Sequence, residues 1–182
     1  MNKNKFNNIL VVYGGTSGKR AVSLESGKAC IRELKKNKYK VSSFDPKKKN
    51  FNLINKSKTE AIFNALHGKN GEDGVAQSYF EYLKIPYTHS GVISSFNAMD
   101  KLISKKIFLK NKIKTPKYFS LDRNFKISSV DKKLKLKRIY YPVIVKPINE
   151  GSSLGVELCK NKKRLIKSIK KLVKNYDRVM IE

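Results

Sequence analysis

Apolar positions along the chain switch period repeatedly, from unbroken or alternating short runs to stripes spaced three and four residues apart, which predicts strands and helices in alternation. Ile9–Tyr13 is an unbroken apolar run entering Gly14-Gly15, the pattern of a buried strand that feeds a glycine-rich turn. Ser23 suits the cap of a following helix on which Leu24, Gly27, Ile31 and Leu34 share one face. Lys40–Phe44 alternates as a strand and stops at Asp45-Pro46, and Ala61–Leu66 is a further short strand ending at His67-Gly68. Val75, Tyr79, Tyr82 and Leu83 then form a helical stripe ahead of the short Ile85–Thr88 segment. This order, with short connections, predicts a parallel, Rossmann-like sheet over residues 1–96.

A second unit is expected over residues 97–182. Leu102, Ile103, Ile107 and Leu109 fit a helix closed by Pro116, Tyr118–Leu121 reads as a strand, and Asn124–Arg138 is a charged linker or helix. Val143–Lys146, between Pro142 and Pro147, and Val156–Cys159 predict a hairpin with the loop Asn149–Gly155 at its tip. Leu165, Ile166, Ile169, Leu172 and Val173 give the cleanest amphipathic helix, and Val179–Ile181 begins another strand. The fold class is therefore α/β: a parallel-sheet domain followed by a partial α+β subdomain.

Charge changes this picture little. The 182 residues hold 41 Lys+Arg against 14 Asp+Glu, a net charge of +27. Such a basic field favours anionic partners, but the lysines are spread along the whole chain, which fits a general compositional bias better than one binding face. No apolar stretch reaches the roughly 18–20 residues that span a bilayer, and the polar Met1–Asn8 with its short apolar sequel is no signal peptide, so a cytoplasmic location is expected. Cys30 and Cys159 stand far apart without metal-ligand spacing and read as buried small apolar residues, on a helix and a strand respectively.

Candidate chemistry gathers in three loops that follow strands. Glu150-Gly151-Ser152-Ser153-Leu154-Gly155 succeeds a strand carrying Lys146. Glycine lets backbone N–H groups approach a phosphate, serine hydroxyls add donors, and the strand lysine adds a point charge, although no GxxxxGK[ST] string is present. His67-Gly68 with Gly71-Glu72-Asp73-Gly74, and Gly14-Gly15-Thr16-Ser17-Gly18, complete a set expected along the carboxyl edge of one sheet, where α/β proteins bind ligands.

The strings themselves are recognisable. Val12–Ser26 (VYGGTSGKRAVSLES), Ala65–Gly74 (ALHGKNGEDG), Ile85–Lys105 (IPYTHSGVISSFNAMDKLISK) and Pro142–Gly155 (PVIVKPINEGSSLG) resemble successive segments of the D-alanine–D-alanine ligases of the ATP-grasp superfamily. The resemblance implies a pre-ATP-grasp substrate domain over 1–96 and the first ATP-grasp subdomain over 97–182. It implies phosphorylation of one D-alanine carboxylate by ATP, attack of a second D-alanine amine on the acyl phosphate, and use of the dipeptide in peptidoglycan. It also implies Mg²⁺, whose ligands would lie outside this chain, and a homodimer formed through the first domain. Lys101 and Lys146 would meet the nucleotide phosphates, Glu150, Gly151, Ser152 and Ser153 would cover them, with Ser152 also near substrate, and Glu182 would begin the strand that meets adenine. Ser23, His67 and Gly68 would border the first D-alanine, with His67 and Ser152 as the catalytic pair.

Two departures from the family pattern follow. The acid that holds the first substrate's ammonium group falls at Lys19, and two cations roughly 4 Å apart at an effective dielectric of about 20 repel by about 4 kcal/mol. Either Glu25 or Glu72 takes over, or the alignment slips, or substrate binding is impaired. The family's metal-binding carboxylates and the arginine that stabilises the transferring phosphate also have no counterpart here, so this chain by itself is expected to be incomplete and inactive. Two other readings compete: an ATP-grasp ligase for a different carboxylate and amine, against which the LHGxxGEDG string argues, and a basic non-enzymatic α/β module for nucleic acid. The latter would gather arginine and aromatic residues on one face, whereas this chain is lysine-rich.

Overall fold

The computed structural model describes residues 6–182, so Met1–Lys5 of the polar start lie outside it. The described chain forms two compact units, one ending at Phe96 and the other running from Asn97 to Glu182.

In the first unit β1 (Asn8–Val12), β2 (Lys40–Phe44) and β3 (Ala61–Asn64) make a parallel sheet in the order β2-β1-β3. Central β1 carries Val11 and Val12 with no exposed surface, as an unbroken apolar run requires when both flanks are paired. Because the strands are parallel, Val12, Phe44 and Asn64 end at one edge, and the loops after them share it. Tyr87 adds an isolated parallel bridge to Ile62. Helix α1 (Arg20–Lys36) packs against β1 and β2, and α2 (Val75–Tyr82) contributes Ala76 and Phe80 to the core with Leu10, Val12, Ile62 and Leu66.

Several expectations give way here. Ser23 does not cap α1; Lys19 holds that position, and Ser23 is fully buried one turn in. Its hydroxyl accepts from the Gly14 N–H at 2.8 Å and donates to the Ala65 carbonyl at 2.6 Å, tying the helix to the ends of β1 and β3. The α2 stripe is also displaced. Val75, Tyr79 and Tyr82 are exposed, while Ala76, Gln77 and Phe80 face inward, because Phe80 meets Phe51 edge-on at 5.9 Å and Tyr87 at 5.4 Å. Helix α3 (Val92–Met99) has no counterpart in the predicted elements, since its only buried residue, Ser95, leaves no apolar stripe to read. Cys30 is only partly buried, whereas Cys159 is fully so.

Gly27 governs how closely α1 approaches β1: a Cβ there would fall 2.4 Å from the Tyr13 Cβ. Gly27→Ala should therefore destabilise the protein by about 1–3 kcal/mol, the usual cost of overpacking. Thermal unfolding followed by circular dichroism measures it, and an unchanged midpoint would contradict the close approach.

The second unit is an antiparallel sheet ordered β4-β7-β5-β6, from β4 (Phe119–Asp122), β5 (Val143–Pro147), β6 (Glu157–Cys159) and β7 (Arg178–Ile181). The charged stretch expected as linker or helix contains α5 (Ile127–Lys137), anchored by Val130 and Leu134. Helix α6 (Lys162–Asn175) buries Leu165, Ile169, Leu172 and Val173, as its periodicity predicts. These residues pack on Val143, Val145, Val179 and Ile181. Strand alternation then puts Ile144, Lys146, Met180 and Glu182 on the other face, the register pairing Lys146 with Met180 and backbone hydrogen bonds pairing Glu182 with Ile144. Helix α4 (Lys101–Lys110) reverses its expected pattern: Ile107 and Leu109 are exposed and Lys105 is its buried residue. Among the described residues, no helix is long and apolar enough to cross a membrane.

Candidate functional site

The three glycine-bearing loops do not share one sheet. Two follow β1 and β3 in the parallel sheet, and the third joins β5 to β6 in the antiparallel one, because the chain builds two cores rather than one.

At the parallel edge, the first two loops are brought together and pinned. Ser17 Oγ donates to the His67 carbonyl at 2.5 Å. Asp45, at the end of β2, accepts from Arg20 through both oxygens at 3.0 and 2.7 Å and from the Gly15 and Lys47 N–H groups at 3.0 Å. The Arg20 hydrogen bond is the main reason why its carboxyl is held at about 2, against the opposing effect of burial. Gly14 and Gly15 both have positive φ, and a Cβ on Gly14 would stand 2.7 Å from Asp45 Oδ1, so this turn admits only glycine in its present shape. These loops line a cavity of about 480 Å³ with Phe51 and Tyr79 stacked at 4.9 Å on its wall.

His67 is held at both ring nitrogens. Ser26 Oγ lies 3.2 Å from Nε2 and Glu72 Oε1 lies 3.4 Å from Nδ1. Glu72 Oε2 accepts from the Gly68 N–H at 2.5 Å and pairs with Lys19 Nζ at 3.3 Å. Burial alone would raise the Glu72 carboxyl, but the bonds from Gly68, His67 and Lys19 outweigh it and hold it below its ordinary value. Of the two acids considered for neutralising Lys19, Glu72 faces it, and Glu25 lies on the exposed surface of α1. Lys19 is therefore not an isolated cation. Ser23, expected beside a substrate, has no exposed surface and spends its hydroxyl on Gly14 and Ala65, so its place is structural.

In the second unit Lys101 Nζ donates to the carbonyls of Ile148, at 3.1 Å, and Glu150, anchoring the start of the hairpin loop. Asp100 caps α4 by accepting from the Leu102 and Ile103 N–H groups at 2.8 and 3.0 Å, which fixes the position of Lys101. Ser152 and Ser153 lie exposed at the loop tip, both in the left-handed region, and Gly155 turns the chain where a Cβ would meet Pro147 Cγ at 2.8 Å. Gly151 and Glu150 are half-buried at its base. Lys146 reaches Glu182 Oε1 across the sheet face. Lys105 Nζ stands 2.6 Å from Glu182 Oε2, a close ion pair set off hydrogen-bond alignment. Burial pushes the Glu182 carboxyl up, yet the two lysines overcome this and hold it below the ordinary range.

Glu182, Lys101 and Lys146 thus gather in one unit, and Lys19, His67, Gly68 and Glu72 in the other. Sequence reasoning missed Lys105 and Ser26. A signal existed for the first, since Lys101 and Lys105 stand i, i+4 and so share a helix face. None existed for Ser26, whose role depends on α1 lying beside the loop that follows β3.

A parallel α/β unit followed by an antiparallel sheet with lysines beneath a Gly/Ser hairpin has the organisation of an ATP-grasp ligase, and the relatives of this chain agree. Residues 42–90 match the family model described as the D-ala D-ala ligase N-terminus, and residues 107–182 match that of the D-ala D-ala ligase C-terminus. The D-alanine–D-alanine ligase of Pelagibacter ubique is 49% identical over 174 residues, covering 96% of this chain and 56% of that protein. The crystal structure of the Bacillus anthracis D-alanine–D-alanine ligase superposes with a TM-score of 0.82 at 37% identity, over 96% of this chain and 56% of the other. A D-alanine–D-alanine ligase from Bacillus anthracis complexed with ATP gives 0.79 at 32% identity, over 96% and 57%. The chain belongs to the D-alanine–D-alanine ligase family, and it spans a little over half the length of these relatives.

Proposed function

We propose that this chain carries the first-substrate region and part of the nucleotide site of an ATP-dependent ligase that joins two D-alanine molecules through an acyl phosphate, for peptidoglycan synthesis in the cytoplasm. The observation that carries the reading is the set of Lys146, Glu182 and the Lys101-anchored Gly/Ser hairpin in one unit. A lysine on a strand is a point charge for phosphate oxygens, and a glycine-bearing hairpin can cover them. Glu182, ionised and paired with two lysines, would accept hydrogen bonds from the base. In the other unit, Glu72 supplies the acid that position 19 lacks. A substrate ammonium group would share its carboxylate with Lys19, while His67, oriented by Ser26 and Glu72, would border the first D-alanine.

Mg²⁺ would draw charge from the transferring phosphate in such a reaction. Among the described residues no three His, Cys, Asp or Glu side chains converge as a metal site, so none of the steps above is assigned to the metal. Exposed apolar side chains on the first unit, Tyr82 on α2 and Ile93 and Phe96 on α3, support a homodimer through that unit.

Calorimetric titration with ATP tests the reading. Binding in the micromolar to low-millimolar range, weakened by added salt, is expected, and no heat at millimolar ATP would overturn it. The protein that includes this chain should then form the dipeptide from D-alanine, ATP and Mg²⁺, with L-alanine inactive.

A further inference from the structure

The second unit carries a group that the proposed reaction does not yet use. Lys105 is among the most enclosed charged side chains described, with 8% of its side-chain surface exposed. It holds three oxygen partners at once: Glu182 Oε2 at 2.6 Å, Thr115 Oγ1 at 2.9 Å and the Pro116 carbonyl at 3.0 Å. The Tyr118 ring lies below it, 5.0 Å from Nζ to the ring centre. Lys146 differs from it in setting. It stands on the face of β5 turned away from α6, is more exposed at 20%, and pairs with Glu182 through the other carboxylate oxygen. Two cations therefore share one acid, so these three side chains together carry a charge of +1.

The two lysines cannot be equivalent toward an incoming anion. Lys105 is fixed by three partners and a ring, and only 8% of its side chain meets solvent. Lys146 has one ionic partner and can exchange it. If Glu182 had no other counterion, the departure of Lys146 would strand a largely buried carboxylate, which is strongly unfavourable. With Lys105 in place the carboxylate stays compensated throughout.

We propose that Lys105 is a positioning residue for nucleotide binding, a standing counterion that keeps Glu182 ionised and oriented while Lys146 moves from that carboxylate to a phosphate. The proposal rests on the reading of Lys146 as a phosphate ligand given above, and it carries two tests that separate its failure from the failure of that reading.

The first compares ATP affinity by calorimetry in wild type, Lys105→Met, Lys105→Arg, Glu182→Gln and the double variant Lys105→Met/Glu182→Gln. Lys105→Met should bind ATP at least tenfold more weakly, and Lys105→Arg should stay within about threefold of wild type. In the Glu182→Gln background, where no carboxylate is left to trap Lys146, adding Lys105→Met should change the affinity by less than about threefold. The double variant leaves no buried carboxylate to strand, so this last comparison is available even if Lys105→Met alone fails to fold. An undiminished loss in that background means that Lys105 merely supports the fold, and overturns the proposal. The second test needs no nucleotide: the acetylation rate of Lys146 by a small acylating reagent, read by mass spectrometry. Lys105→Met should slow it several-fold, because Lys146 becomes the sole counterion of Glu182. An unchanged rate in a folded variant overturns the proposal whether or not the protein binds ATP.

Discussion

Asp45→Asn should destabilise the first unit by about 2–4 kcal/mol, seen as a lower urea midpoint by circular dichroism. Asp45 is 9% exposed and receives four hydrogen bonds, two from Arg20 and two from the Gly15 and Lys47 N–H groups. The amide keeps the shape but loses the charge and offers N–H groups to donors, leaving the Arg20 guanidinium unpaired beside the Gly15 carbonyl. The partial exposure of Arg20 places the effect below that of a fully buried pair. The same carboxylate sets an acid limit. Its value falls from 3.8 in the unfolded chain to about 2 in the folded one. A depressed carboxyl contributes stability that is fully present above the unfolded value and lost as pH falls through the folded one. The wild-type unfolding free energy, extrapolated from urea titrations, should therefore decline between pH about 4 and about 2, by about 2 kcal/mol from this residue, with a shallower decline in Asp45→Asn. Parallel pH profiles for the two proteins would refute the assignment.

Lys146→Met should weaken ATP binding by about 30- to 100-fold, the 2–3 kcal/mol expected for losing a charge-assisted phosphate contact in a half-buried site. Methionine retains much of the aliphatic stem, and Glu182 keeps Lys105 as counterion, so the melting temperature should move little. Adenosine supplies the control. Its affinity should be nearly unchanged, because Lys146 is assigned to the phosphates alone. Salt dependence should also fall, since one cation fewer meets the polyanion. Equal losses for ATP and adenosine would place Lys146 at the base or in the fold, and no loss for either would remove it from the site.

These predictions depend to different degrees on what the sequence contained. Lys146 was visible in it, because a lysine on a strand directly before a Gly/Ser loop has few structural reasons to be there. Asp45 was visible only as the end of a strand. Its partners, Gly15 and Arg20, lie 30 and 25 residues away, and only the parallel pairing of β1 with β2 brings them together. Lys19 illustrates the same limit. Read along the chain it is a cation where the family has an acid, but in the fold Glu72, 53 residues on, neutralises it. The outward α2 stripe failed for a related reason: Val75, Tyr79 and Tyr82 have the spacing of a core face, but aromatic packing around Phe80 selected the opposite side.

What the sequence alone determined is the set of elements with strong periodicity or punctuation, and the family, which rests on short strings whose glycines, acids and lysines stand next to one another. Local conformation and local chemistry are encoded locally, by turn residues, helix stripes and strand alternation. What only the tertiary structure decided is which loops share an edge, which oxygen each lysine meets, and which lysine is held by three partners and which by one. Those depend on strand order, register and burial. Lys105 and Lys146 carry the same side chain and differ because packing encloses the first more fully and surrounds it with more partners.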